Sequence, residues 1–137
     1  MGNDPNTIGR HSFRKKERIC SQKQIDSLFN GGQSKTMTVF PIRMVYAFVE
    51  KKEHEPWAKL LVSVPKKHLK KAVDRNLVKR QLREAYRQNK HLVIQKLEQQ
   101  QQHQMLISLI WSDSQLQESR QVAQKVISLL QRVSEKI

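Results

Sequence analysis

The chain has 137 residues, with 26 Lys+Arg against 12 Asp+Glu and a formal net charge of +14. That length suits one domain rather than two, and 37% hydrophobic with 28% charged residues excludes a wholly disordered chain. The longest apolar stretch, Met105 to Trp111, falls far short of the ~20 residues that span a bilayer, which excludes a membrane-spanning helix.

Residues 1–10, with Gly2, Asn3, Pro5 and Gly9, read as a flexible tail ahead of one domain over residues 11–137. The first twenty residues are too polar for a secretory signal and the single Cys20 has no disulfide partner, so a cytoplasmic protein is expected. Ser21 and Gln24 form a capping-box pattern ahead of Ile25, Leu28 and Phe29, predicting a short helix that Gly31 and Gly32 stop. Thr36 to Val49 is β-rich and predicts one long strand, with Pro41 at an edge or bulge. After the charged turn Glu50 to Pro56, the alternation from Trp57 to Val62 predicts a second strand paired with the first as a hairpin.

Lys66 to Lys71 is basic and irregular, and Ala72 to Lys90 has the period of a helix. At ~100° per residue, Leu77, Val78, Leu82 and Ala85 gather on one side, with Leu77 at the border of that side. Lys71, Arg75, Lys79, Arg80, Arg83 and Arg87 take the other. A further short helix around Leu92, Ile94 and Leu97 runs into the low-complexity Gln99–Gln104 stretch. Met105 to Trp111 predicts a third strand, and Ser112, Asp113 and Ser114 are N-cap candidates for a last helix through Val126, Leu130 and Val133. The order α-β-β-α-β-α predicts an α+β two-layer sandwich whose middle helix is a crossover.

Charge is concentrated in one element: residues 66–90 carry ten basic and two acidic side chains, more than half of the whole surplus. A solvated helix face normally mixes signs for i,i+4 pairing, and here only Glu84 is placed to pair, with Arg80. A one-signed face at Arg75, Lys79, Arg80 and Arg83 is instead the footprint of phosphate binding, with nucleic acid favoured over an anionic membrane. Asn76 suits either a local hydrogen bond at the helix start or a sugar or base contact. Single-stranded RNA needs aromatic platforms beside cations. Phe13, next to Arg14 and Lys15, fits that role best; Phe40 and Tyr46 fit it or the core equally, and Phe29 and Phe48 read as interior. The five histidines show no ligand-spaced pair, so no metal site is expected in the protein. No nucleophile–base–acid set and no Gly-rich phosphate loop are apparent.

The run from Ser63 to Arg87, with Lys66-Lys67 after a strand and Arg75-Asn76-Leu77-Val78-Lys79-Arg80-Gln81-Leu82-Arg83-Glu84 on a helix, resembles the bacterial ribonuclease P protein family. Phe13-Arg14-Lys15-Lys16-Glu17-Arg18 is similar to that family's N-terminal pattern, and the order of elements agrees over residues 12–133. Leu77 departs from it, standing where the family's R-N-R signature has its second arginine. The resemblance implies a central mixed sheet with a left-handed βαβ crossover, against the general preference for the right hand. It implies an RNA-binding subunit that helps a catalytic RNA remove the 5′ leader of precursor tRNA, with no catalytic residue in the protein and magnesium held mainly by the RNA. It assigns the catalytic RNA to Lys66, Lys67, Lys70, Lys71, Arg75, Asn76, Lys79, Arg80, Arg83 and Arg87, and the leader to Phe13, Arg14, Lys15, Arg18, Phe40 and Tyr46. A monomer, one copy per RNA, is expected. The alternative from the residues alone is a ribosomal or ribosome-assembly protein of basic α+β fold. An autonomous nuclease would need clustered carboxylates or histidines, and a DNA-binding regulator a base-reading helix and usually dimer symmetry.

Overall fold

The computed structural model describes residues 13–137; the tail read over residues 1–10 lies outside the described residues. A 3-10 turn, Lys15–Glu17, precedes α1 (Gln22–Asn30), β1 (Lys35–Val39), β2 (Ile42–Glu50), β3 (Ala58–Ser63), α2 (Ala72–Asn89), α3 (His91–Gln100), β4 (His103–Trp111) and α4 (Ser119–Ser134). The four strands form one mixed sheet in the order β1-β2-β4-β3, with β3 parallel to β4 and the other pairs antiparallel.

Two strand expectations need correction. The single strand over Thr36–Val49 is two strands, because Pro41 has no N–H for a ladder and the chain reverses at Phe40-Pro41, leaving Val39 opposite Ile42. The hairpin between β2 and β3 does not form, because β4 lies between them. The reason is burial: β4 is shielded on both faces from Gln104 to Leu109, and from Met105 to Trp111 its apolar run is broken only by Ser108, the pattern of a central strand. β3 therefore reaches β4 in parallel through a crossover made of α2 and α3.

Side chains alternate across this sheet. Ile42, Met44 and Tyr46 of β2 and Met105, Ile107, Leu109 and Trp111 of β4 join α2, α3 and α4 in the main core. Val45 and Ala47 with Leu106 face the other way and form a smaller cluster with Ile19 and Leu28, which α1 covers. The sheet-and-helix packing is thus carried by α2 to α4, with α1 as a partial cover on the opposite face.

The expected capping devices are placed differently. Ser21 is the N-cap of α1 but makes no side-chain cap bond, and Gln24 instead accepts a hydrogen bond from Lys59 Nζ on β3 at 3.4 Å. At the other end, a Cβ on Gly31 would stand 2.6 Å from the Ser27 carbonyl oxygen, and Gly32 has φ +74, so both glycines are demanded by the turn. The N-cap of α4 is Glu118, not Ser112, Asp113 or Ser114, because Gln81 Nε2 donates to Gln117 O (3.0 Å) and Ser119 Oγ (3.1 Å) and holds the preceding loop on α2.

Leu82, fully buried on the inner side of α2, is the clearest test of this packing. Leu82→Ala should destabilise the fold by about 2–5 kcal/mol, the usual cost of a cavity at such a site. Urea unfolding followed by circular dichroism measures it; an unchanged midpoint would mean that α2 is not packed through this side.

Candidate nucleic-acid interface

The apolar half of α2 places the cationic half. Val78, Leu82, Ala85 and Tyr86 are buried, Leu77 is half-buried at the edge, and Asn76, Arg80 and Glu84 are exposed. Ahead of α2, the chain leaves β3 through Val64 and Pro65, and the His68 N–H donates to Pro65 O at 3.1 Å. Leu69 is buried like a plug in this turn, which leaves Lys66, Lys67, Lys70 and Lys71 exposed around it. Lys70 and Lys71 stand at the N-terminal, positive end of the helix macrodipole, where cations oppose stability. A local stability argument therefore does not explain them, whereas a bound polyanion does.

The five cations on α2 are not equivalent. Arg75 Nη1 donates to Leu69 O (3.0 Å) and Lys70 O (2.7 Å), so its guanidinium staples the lysine-rich turn to the helix. Glu84 pairs with Arg87, not with Arg80 as expected: Arg87 Nη2 lies 2.6 Å from Oε1 and Nε donates to Oε2 at 2.9 Å. Those bonds hold the Glu84 carboxyl below the usual carboxylate range and raise the Arg87 pKa. Arg80, freed of that carboxylate, stays exposed. Arg83 is half-buried; desolvation lowers its pKa, and the neighbouring Arg18 guanidinium lowers it further.

The N-terminal segment lies against the second half of α2. The Phe13 ring meets Tyr86 edge-on, 5.8 Å between centroids, and the Arg18 guanidinium sits 5.1 Å over the same ring. Phe13 is thus taken up by a docking contact, while Arg14, Lys15, Lys16 and Arg18 remain exposed. The chain then follows the free edge of β3, where the Ile19 N–H donates to Leu60 O at 3.0 Å.

The aromatic expectations divide. Tyr46, expected at a leader site, is 3% exposed and must be withdrawn from it: the alternation of β2 sends it into the main core with Ile42 and Met44. Phe40 is 64% exposed in the β1–β2 turn. Phe29, expected inside, is 42% exposed at the last turn of α1. Phe48 is half-buried and packs against the main core.

Register adds residues that the sequence reading missed. Thr38, Arg43, Ile110 and Ser63 are neighbours in one row across all four strands, on the face that α1 partly covers. Arg43 is exposed in that row, and the row leads at one end into Phe40 and at the other into Val64 to Lys67. The signal was available, since Arg43 is a charge near the start of a strand that is apolar from Met44 to Val49, but its face could be assigned only once β4 was known to be central. Among the described residues no group of three or more His, Cys, Asp and Glu could hold a metal ion, and no helix is long and apolar enough to cross a membrane.

A protein-family model described as Ribonuclease P matches residues 13–134. The Ribonuclease P protein component of Porphyromonas gingivalis, in two strains, is 39% identical over 110 residues, covering 80% of this chain and 75% of that protein. Among solved structures, the RNase P protein from Thermotoga maritima aligns with a TM-score of 0.62 at 21% identity, over 85% of this chain and 96% of that one. A Staphylococcus aureus RNase P protein mutant described as defective in mRNA degradation activity aligns with a TM-score of 0.63 at 18% identity, over 88% and 90%. These structural likenesses concern the fold.

Arg75 and Arg80 should separate in a mutational test. Arg75→Ala loses two bonds to backbone carbonyls and should cost about 1–2 kcal/mol of stability, whereas Arg80→Ala, exposed on the same helix, should leave the melting temperature unchanged. Thermal melts of both variants check this; equal melting temperatures would contradict the staple. Leu77→Arg should fold normally and bind RNA at least as tightly, with a steeper salt dependence from the added cation. Unfolding seen by circular dichroism would place Leu77 in the core.

Proposed function

The chain belongs to the ribonuclease P protein family, and from that premise we propose how its surface divides the work between two RNAs. It is the RNA-binding protein component of the enzyme that matures the 5′ end of tRNA, in which the RNA carries the chemistry. Its partners are the ribonuclease P RNA and the tRNA substrate. In this reading the outer face of α2 (Arg75, Asn76, Lys79, Arg80, Arg83, Arg87) and the turn Lys66, Lys67, Lys70 and Lys71 hold the catalytic RNA. Arg14, Lys15 and Arg18, with Phe40 and the row through Arg43, take the single-stranded leader. Phe13 acts there by holding Arg18 rather than by stacking a base. One protein binds each RNA, as a monomer, in the cytoplasm.

The observation that carries this reading is the one-signed surface built from residues 66–90, whose exposed Glu84 is turned onto Arg87. A surface of that sign lowers the repulsion between two polyanions that must meet. The described residues do not fit a magnesium cage, so the reading places magnesium on RNA phosphates and routes no step through protein ligands.

The protein alone should leave precursor tRNA intact and, added to the catalytic RNA at moderate salt and magnesium, should accelerate cleavage at the leader junction. The benefit should shrink as salt or magnesium rises, because small cations then screen the same repulsion. A time course of labelled precursor with protein, RNA or both across a salt series reads this. Specific cleavage by RNA-free protein would overturn the division of labour, and salt-independent stimulation would overturn the electrostatic account.

A further inference from the structure

Glu17 is a carboxylate among cations, flanked by Arg14, Lys15, Lys16 and Arg18. On electrostatic grounds it weakens any RNA contact of that segment. Yet its side chain is not presented to solvent: it is 12% exposed and forms a salt bridge with Lys90, whose side chain is 3% exposed. The other carboxylate oxygen, Oε2, accepts the Arg14 backbone N–H at 2.8 Å, closing the 3-10 turn. The same carboxylate therefore shapes the basic segment and fixes it to the residue that ends α2.

Its neighbours make the geometry specific. Tyr86, one turn before Lys90, receives the edge of Phe13, and burial together with the Glu17 charge pushes the Tyr86 phenol up. Arg18, the residue after Glu17, is laid over Phe13, on the side of α2 where Arg83 feels its charge. A buried ion pair is a poor source of net stability, because desolvation offsets most of the attraction. What such a pair supplies well is register, since a shifted segment would pull the Glu17 carboxylate away from the Lys90 ammonium.

We propose that Glu17 is a positioning residue for RNA recognition: paired with Lys90, it seats Arg14 to Arg18 on α2 so that Arg18 and Arg83 form one continuous cationic surface between the leader-binding segment and the catalytic-RNA helix. This deepens the functional reading above and rests on it. The sign of its effect is opposite to that of simple electrostatics. Removing a negative charge from a cationic RNA-binding surface should tighten binding; removing this one loosens it.

The test uses the full chain assembled with the catalytic RNA. Glu17→Ala should weaken binding of a precursor tRNA bearing a leader by about ten-fold, the scale of one lost charge-assisted contact, and flatten its salt dependence. Binding of mature tRNA without a leader should be unchanged, which a general loss of structure would not allow. The exchanged pair, Glu17→Lys with Lys90→Glu, keeps the net charge and should bind the leader-bearing substrate better than either single change, even though Glu17→Lys alone is two charges more positive than the parent. Tighter leader binding by Glu17→Ala, or an exchanged pair no better than Lys90→Glu, would overturn the inference; the second comparison stands if Glu17→Ala fails to fold. Arg80→Ala run alongside separates the two levels: weaker RNA binding by it together with tighter binding by Glu17→Ala rejects the inference alone, while unaltered binding by Arg80→Ala rejects the reading on which it rests.

Discussion

Like charges crowd one side of α2, and they can stay there only because the other side is buried. Val78, Leu82, Ala85 and Tyr86 are almost wholly shielded, and burial at roughly 25 cal/mol per Å2 of apolar surface outweighs the few tenths of a kcal/mol that each like-charged i,i+4 pair costs. The consequence is geometric as well as energetic. A helix anchored through a fixed apolar stripe cannot rotate, so its cations are held in one direction whether or not RNA is present.

The sheet exists to hold that stripe, and its order follows from the same demand. β4 is buried on both faces and takes the centre, which forces β3 into parallel pairing and makes α2 and α3 the connection that returns the chain. The lysine-rich turn then falls where β3 hands over to α2, at the sheet end that also carries Phe40 and Arg43. One cationic surface thereby lies on α2 and another beside α1, on opposite faces of the sheet. The N-terminal segment joins them through Phe13, Arg18 and the Glu17–Lys90 pair.

Periodicity made α2, β4 and the last helix legible in the sequence, because each carries a long apolar pattern whose partner is simply the interior. Pairing was not legible in the same way. That β4 separates β2 from β3 depends on comparing the two-sided burial of distant strands, and a period-2 pattern says which residues share a face without saying which face it is. Tyr46 and Arg43 show the cost of that ambiguity: three residues apart in one strand, they lie on opposite sides of the sheet. Individual polar roles were hidden for another reason. Whether Arg75 bonds carbonyls, Glu84 takes Arg87 rather than Arg80, or Glu17 reaches Lys90 is decided by side-chain reach in three dimensions, over separations as large as 73 residues. The family resemblance treated the cations of α2 and its preceding turn as equivalent, whereas the structure gives Arg75, Arg80 and Arg87 different surroundings.

The central claim is that α2 and its preceding turn are the surface that meets the catalytic RNA. Lysine-reactivity footprinting by mass spectrometry, on the free protein and on its complex with that RNA, addresses it directly, because exposed lysines are spread over the fold. The account predicts strong protection of Lys66, Lys67, Lys70 and Lys71, with Lys79 following. Lys35, Lys52, Lys96 and Lys136, exposed elsewhere, should react as they do in the free protein. Protection centred on Lys96 and Lys136, with the turn before α2 still reactive, would contradict it.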